Sequence, residues 1–205
     1  MTLVMKAFYI GIVMFTLTAT VSGFVRRTST SRSLAVAALS KGDTLPSKSI
    51  LCDVIEAQDE KCKLGDPVDF GALLKSHKKA VVFAVPGAFT PTCSAQHLPG
   101  FITLSPELKK KGVDAVYCLS VNDKYVMKSW GDATPGFGSS GIKLVADGNG
   151  EFTTALGFEK DATGSRMGVR SKRYALIVES GKVTAVNVDE KGLDNSSADK
   201  ILALL

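Results

Sequence analysis

Three stretches of this chain, KAVVFAVPG at residues 79–87, GVDAVYCLSV at 112–121 and GIKLVAD at 141–147, are apolar and β-branched without the alternation of a strand that has one wet face. Such strands are buried on both sides, and a sheet buried on both sides must carry helices on both faces. The segments between them supply those helices. Residues 92–111 have a helical pattern with Pro99 inside it as a kink, and KYVMKSWG at 124–131 follows Asn122 and Asp123, either of which suits an N-cap. The spacing predicts an α/β fold of three layers, a central mixed sheet with helices on both faces.

The rest of the chain extends this order. SILCDVIE at 49–56 and KCKLGDPVDF at 61–70 read as a hairpin around the polar turn from Gln58 to Lys61, and FGALLKSH at 70–77 has the spacing of a helix. The turn DGNG at 147–150 closes the third buried strand. RYALIVESGKVTAVNV at 173–188 reads as a hairpin through Ser180, Gly181 and Lys182, with Tyr174, Leu176 and Val178 on one face. ADKILALL at 198–205 is a terminal helix for which Ser196 and Asp199 suit the cap. The stretch TPGFGSSG at 134–141 lacks both glycine patterns that cradle phosphate and reads as a surface loop.

Charge excludes one class of function. The net charge is +5, but residues 1–40 hold Lys6, Arg26, Arg27 and Arg32 and no acid, which accounts for +4 and leaves +1 for residues 41–205. The domain is nearly neutral and has no basic stripe interleaved with aromatics, so nucleic acid is not an expected partner. Lys109, Lys110 and Lys111 read as a solvated helix end. The first residues read instead as an address. AFYIGIVMFTLTATVSG after Lys6 has the pattern of a signal peptide ending near Gly23, and FVRRTSTSRSLAVAALS is Arg-rich, Ser/Thr-rich and acid-free like an organelle transit peptide. A signal peptide over 1–23 followed by a transit-like segment over 24–40 resembles the bipartite presequences that enter the complex plastids of algae. Secretion and mitochondrial import are the alternatives. The mature domain is expected over 41–205, membrane-free.

The four cysteines are Cys52, Cys62, Cys93 and Cys118. A domain of this length builds its own core without disulfides, and with no C-x-x-C pair and two histidines a zinc site is not expected. Cys93 stands apart, in VPGAFTPTCSAQHLPGF at 85–101. It follows a buried strand and opens a helix, at the carboxyl end of the sheet where α/β folds place their sites. Unpaired N–H groups and the helix dipole there favour a thiolate. Pro91 loses nothing at a helix start, and Thr90 can set its hydroxyl beside the sulfur.

PGAFTPTCSAQHLPGF resembles the active-site stretch of the peroxiredoxins, in particular the type II, peroxiredoxin-5-like (atypical 2-Cys) group, whose Pro-x-x-x-Thr-x-x-Cys core is matched by Pro86, Thr90 and Cys93. The resemblance continues through CLSVNDKYVMKSW, IKLVAD and RSKRYALIV, from about residue 41 to the C-terminus. It implies a thioredoxin-like fold, Cys93 as the peroxidatic cysteine and Arg173 as the arginine that completes the site. In those roles Arg173 supplies a permanent cation, Thr90 orients the peroxide and Pro86 limits access to the sulfur. Taken singly, Thr90 is equally a helix cap, Arg173 a surface ion pair and Pro86 a strand terminator. His97, four residues after Cys93, lies on the same helix face and suggests the Cys/His pair of a thiol protease, but the resemblance implies a structural or interface role for it instead. Arg170 reads either as a second cation of the site or as solvent-facing, and Arg166 and Lys172 as surface charges.

By the same resemblance Cys118 is the resolving cysteine, as in plant-type members. A helix from Cys93 to Lys110 runs about 25 Å and the returning strand recovers about 15 to 20 Å, so the two Cα atoms are expected beyond the roughly 7 Å that a disulfide tolerates. Opening of the first helical turns, eased by Pro99, is the expected route to the bond. Cys52 and Cys62 are expected to be bystanders, Cys52 packed on a strand and Cys62 near the surface.

The resemblance therefore implies a thiol-dependent peroxidase acting on hydrogen peroxide and organic hydroperoxides, and no metal, haem or flavin is expected. The resemblance implies regeneration by glutaredoxin, glutathione or thioredoxin and a weak homodimer through the active-site face. Two other readings stand beside it, a redox sensor that passes its disulfide to a partner protein and a thioredoxin-like binding or holdase domain.

Overall fold

The computed structural model describes residues 37–58 and 61–205. The expected signal and transit segments fall outside the described residues up to position 36, as do Asp59 and Glu60 of the expected hairpin turn. In chain order the elements are β1 (Leu51–Gln58), β2 (Lys61–Asp69), α1 (Phe70–Ser76), β3 (Lys79–Ala84), a π-helical turn (Cys93–His97), α2 (Leu98–Lys110), β4 (Ala115–Ser120) and α3 (Lys124–Ala133). There follow α4 (Phe137–Ser140), β5 (Lys143–Ala146), α5 (Glu151–Ala155), β6 (Glu159–Asp161), β7 (Val169–Ser171), β8 (Arg173–Glu179), β9 (Lys182–Asp189) and α6 (Ala198–Leu202).

Seven strands form one mixed sheet in the order β2-β1-β5-β4-β3-β8-β9, with β3, β4 and β5 parallel at its centre. The three unbroken apolar runs are these central strands. Alternate residues feed two separate cores: Val81, Phe83 and Val85 face the side covered by α2, α3 and α6, while Ala80, Val82 and Ala84 face Phe70 and Leu74 of α1 and Phe152 of α5. Tyr174, Leu176 and Val178 share the second face, as their spacing requires. The three-layer order is the thioredoxin-like one.

Several local expectations change. TPGFGSSG is not a free loop, because Phe137 within it is apolar enough to bury completely beside Cys62 and Trp130, and α4 forms around it. The pair β6 and β7 and the short α5 are additional elements; β6 is wholly exposed and carries no apolar signal to betray it. Asp123 caps α3 by accepting from the N–H groups of Tyr125 and Val126, which leaves Asn122 for another task. Ser196 does not cap α6: its hydroxyl donates to Asp189 instead. Cys62 is buried, not near the surface.

Candidate active site

Strand β3 ends where its ladder runs out of donors. Val85 still donates to the Leu119 carbonyl at 2.9 Å, but Pro86 has no N–H, so the chain leaves the sheet at its carboxyl edge. The departing loop is held tightly. Ala88 N–H donates to Asn122 Oδ1 at 3.0 Å, and that oxygen also accepts from Ser120 Oγ at 2.8 Å. Thr90 Oγ1 donates to the Gly87 carbonyl at 2.9 Å, so its lone pairs, and not its proton, are what it presents elsewhere. The loop is also closely packed at Gly87, where a Cβ would stand 3.2 Å from both Thr90 Cγ2 and Met167 Cε, so that one of them would have to shift by a few tenths of an ångström. Phe89, between them, has φ 61°, a left-handed conformation that costs a bulky residue about 1–3 kcal/mol and that persists only where its surroundings enforce it.

The helix then starts as its proline predicts. Ser94 N–H donates to the Thr90 carbonyl at 2.9 Å, which puts Pro91 at the first helical position and Cys93 in the first turn. The expected single helix over 92–111 is in fact two segments. Cys93–His97 widens into a π-helical turn in which Leu98 N–H reaches back five residues to the Cys93 carbonyl, and α-helix resumes at Leu98. Pro99 consequently sits in the first turn of the resumed helix rather than at a mid-helix kink. A second proline, Pro106, lies deeper in α2, and Ser105 Oγ donates at 2.9 Å to the Ile102 carbonyl that Pro106 leaves without its usual donor.

At the sulfur the elements converge. Cys93 is fully buried, and Nη2 of Arg173, from the start of β8, donates to its Sγ at 3.3 Å. Arg173 is itself only 8% exposed, and among the described residues no carboxylate lies within ion-pair range of it. The Cys93 sulfur therefore lies in direct contact with a buried, permanently charged group. The other terminal nitrogen, Nη1, bonds to Nδ1 of His97 at 3.0 Å, and His97 Nε2 bonds to the Ser196 carbonyl at 3.0 Å. His97 is buried against Phe83 and Phe101, which stack face to face with centroids 3.9 Å apart. Burial, with the Arg173 charge adding to it, pushes the His97 ring down to about 4. His97 is thus part of the site's framework and not the base of a thiol-protease pair.

The remaining candidates fall around this centre. Pro86 is half-buried. Arg170 does not reach the sulfur; it is clamped by the carbonyls of Met167 and Val121 at 2.8 Å each and fastens the β6–β7 hairpin over the loop. Arg166 is exposed and Lys172 half-buried, as surface charges are. Cys118 lies on β4 opposite Phe83, fully buried in the same core cluster as Cys93. Burial raises its thiol well above the usual range, the charge of Cys93 adds to that, and Arg173 pulls the other way. All four cysteines are free thiols. Cys52 is buried and raised by desolvation and by Asp147, the state of an inert core thiol. Ser94, Trp130, Asp189 and Ser196 were not legible as parts of the site. Ser196 reads as a helix cap, and Ser94, Trp130 and Asp189 carry no pattern that ties them to Cys93.

A guanidinium that is buried beside a sulfur, at the carboxyl edge of parallel strands in this sheet, defines a thioredoxin-like thiol oxidoreductase. Comparison with known proteins agrees. The Redoxin family matches residues 40–202. Peroxiredoxin-2B of Arabidopsis thaliana is 52% identical over 133 residues, 64% of this chain and 81% of the relative. Peroxiredoxin-2E-2, chloroplastic, of Oryza sativa subsp. japonica is 44% identical over 176 residues, 84% of this chain and 75% of the relative. Among solved structures, reduced Prx3 of Vibrio vulnificus in complex with hydrogen peroxide is 43% identical with a TM-score of 0.69, covering 82% of this chain and 99% of that one. The chain belongs to the redoxin family and, within it, to the type II peroxiredoxins. It is a thiol-dependent peroxidase.

Proposed function

We propose that Cys93 reduces hydrogen peroxide and organic hydroperoxides by in-line displacement. The thiolate of Cys93 attacks one oxygen of R–O–O–H; the S–O bond forms as the O–O bond breaks, the sulfur is oxidised to sulfenic acid, and the departing oxygen takes up a proton to leave as ROH, or as water when R is hydrogen. The observation that carries this reading is the 3.3 Å contact of Arg173 Nη2 with Sγ in a buried site. The guanidinium stabilises the ionised sulfur before the attack and the leaving oxygen during it. Thr90, its proton committed to Gly87, offers lone pairs to a peroxide O–H, and Pro86 narrows the entrance.

Cys118 then resolves the sulfenic acid. Its thiolate attacks Sγ of Cys93, a disulfide forms and hydroxide leaves to be protonated to water; two thiols of glutaredoxin or thioredoxin return both cysteines to the reduced state. Glutathione or glutaredoxin acting directly on the Cys93 sulfenic acid is the parallel route. The chloroplastic relatives support a plastid location, with residues 1–23 as signal and 24–40 as transit segment ahead of the domain at 41–205. The exposed Phe89 and Val169 near the mouth support a weak homodimer through that face.

The test is a steady-state peroxidase assay of wild type, Cys93→Ser and Cys118→Ser with glutaredoxin, thioredoxin and glutathione in turn. Cys93→Ser is expected to consume no peroxide with any reductant. Turnover of Cys118→Ser that survives with glutaredoxin but falls with thioredoxin assigns the resolving role to Cys118. A Cys93→Ser protein that still turns over would remove the proposal.

A further inference from the structure

Among the described residues Arg173 has no carboxylate to aim it, yet a guanidinium on a flexible stem must be aimed to deliver Nη2 to one sulfur. Among the described residues, the only side chain that bonds its other terminal nitrogen is His97, at 3.0 Å through Nδ1. Guanidinium nitrogens only donate, so Nδ1 must be an unprotonated acceptor. That tautomer is not left to chance. The Ser196 carbonyl, 3.0 Å from Nε2, only accepts, so it requires the proton on Nε2. The two contacts demand the same ring state, neutral with hydrogen on Nε2, and each would be lost if the proton moved.

The carbonyl that sets the tautomer is itself fixed from a distance. Asp189, at the end of β9 and paired in register with Arg173, accepts from Ser196 Oγ at 2.6 Å and from the N–H groups of Asn195 at 2.7 Å, Ser196 at 3.1 Å and Asp194 at 3.3 Å. Asn187 Nδ2 adds a bond to the Asn195 carbonyl at 2.6 Å. The loop from 190 to 197 is wrapped around one buried carboxylate. Its Ser196 carbonyl is the part directed at His97.

We propose that His97, as its neutral Nε2–H tautomer, is the positioning residue that aims Arg173 at the Cys93 sulfur, and that the Asp189-bound loop sets this tautomer through the Ser196 carbonyl. The inference rests on the reading that Arg173 activates Cys93, but it adds a task for groups that touch neither the sulfur nor the peroxide. The surroundings are consistent with a ring held neutral: Phe83 and Phe101 pack on it, Arg173 faces one nitrogen, and among the described residues Asp189 is the acid that acts on it. A protonated ring would turn Nδ1 into a donor facing a donor.

The test has three parts. First, in protein labelled with 15N at histidine, the spectrum at neutral pH is expected to show His97 with a protonated Nε2 and a bare Nδ1; the opposite tautomer or a cation overturns the proposal without any variant needing to fold. Second, the second-order rate of Cys93 oxidation by hydrogen peroxide is measured for His97→Phe and His97→Asn. His97→Phe keeps the packing and loses both bonds, and is expected to slow oxidation about 10- to 100-fold, as a misplaced catalytic group does. His97→Asn places an acceptor oxygen where Nδ1 stood and is expected to recover most of that loss. Equal rates for wild type and His97→Phe, or no recovery in His97→Asn, overturn the proposal. Third, Arg173→Gln separates the two layers. If it leaves the rate unchanged, the reading of Arg173 fails; if it slows the rate while His97→Phe does not, only the positioning role fails.

Discussion

The indole Nε1 of Trp130 donates to Ser94 Oγ at 2.9 Å, so the residue that follows the nucleophile is tied to α3 on the other side of the π-helical turn. Trp130 is buried and is the chain's only tryptophan. If the turn must open before Cys118 can reach Cys93, this bond is among those that must break. Trp130→Phe keeps most of the apolar burial and removes about 1 kcal/mol of hydrogen bonding from the closed turn. The expected result is about fivefold faster formation of the Cys93–Cys118 disulfide after one equivalent of peroxide, read by rapid quench and mass spectrometry. An unchanged rate would mean that turn opening does not limit resolution.

The same reasoning fixes what the oxidised protein should look like. Cys118 lies beside Phe83 in the sheet, while Leu98 N–H, Arg173 and the Trp130–Ser94 bond hold the helical turn that carries Cys93, so closing the disulfide is expected to release that turn. We predict that amide hydrogen exchange at residues 93–98 rises by at least tenfold in the Cys93–Cys118 disulfide form relative to the reduced form, with the loop at 194–197 following as His97 withdraws from Ser196. A crystal structure of the oxidised chain with the bond made inside an intact turn would refute this.

Acid is expected to destabilise the reduced protein through His97. Its ring is lowered from an ordinary 6.5 to about 4, so between those values the unfolded chain binds a proton that the folded one refuses. Stability from this group is therefore complete above about pH 6.5 and is lost as pH falls toward 4, a change on the order of 3 kcal/mol. Below that range the carboxylate of Asp189 adds to the loss: burial opposes its charge, but Ser196 Oγ and the N–H groups around it outweigh burial and hold it low. Urea unfolding at a series of pH values checks the prediction. In His97→Phe the slope between pH 6.5 and 4 should flatten; an identical slope in both proteins would count against the assignment.

These relationships show where sequence reading stops. The central strands were legible because their burial on two faces writes itself as unbroken apolar runs, and the helix start at Pro91 because its residue types each solve a local problem. Phe137 was hidden by the glycines around it, since a single buried ring in a polar stretch has no period to detect. The turn at 93–97 was hidden too, because a π-helical register depends on what Cys93 and His97 meet across space and not on their neighbours. Arg173 and Cys93 stand 80 residues apart, and His97 and Ser196 stand 99 apart. The resemblance to a known family supplied the first of these pairs. Nothing but the register of β8 on β9 and the wrapping of the loop on Asp189 supplies the second.

A last prediction concerns the far side of α3, where Gly131 is crowded. A Cβ on it would lie 2.6 Å from Cys62 Sγ, 3.0 Å from Leu144 Cδ1 and 3.3 Å from Phe137 Cε1. In an open helix Gly→Ala gains about 1 kcal/mol from propensity, but overpacking a closed core costs about 1–3 kcal/mol. Because three neighbours are met at once, two of them buried ring or branched side chains, the cost should win. Gly131→Ala is expected to lower the unfolding free energy measured in urea by a net of up to about 2 kcal/mol. Cys62→Ala removes the nearest obstacle, so the double variant should be more stable than the sum of the two single effects predicts, a positive coupling that a double-mutant cycle reads directly. Cys62 donates its backbone N–H to Asp132 at 2.6 Å, a bond that survives the change to Ala, and the bond of its thiol with Asp132 is lost alike in the single and the double variant, so it cancels in the cycle. Strict additivity would mean that Gly131 is required for some reason other than the approach of the Cys62 sulfur.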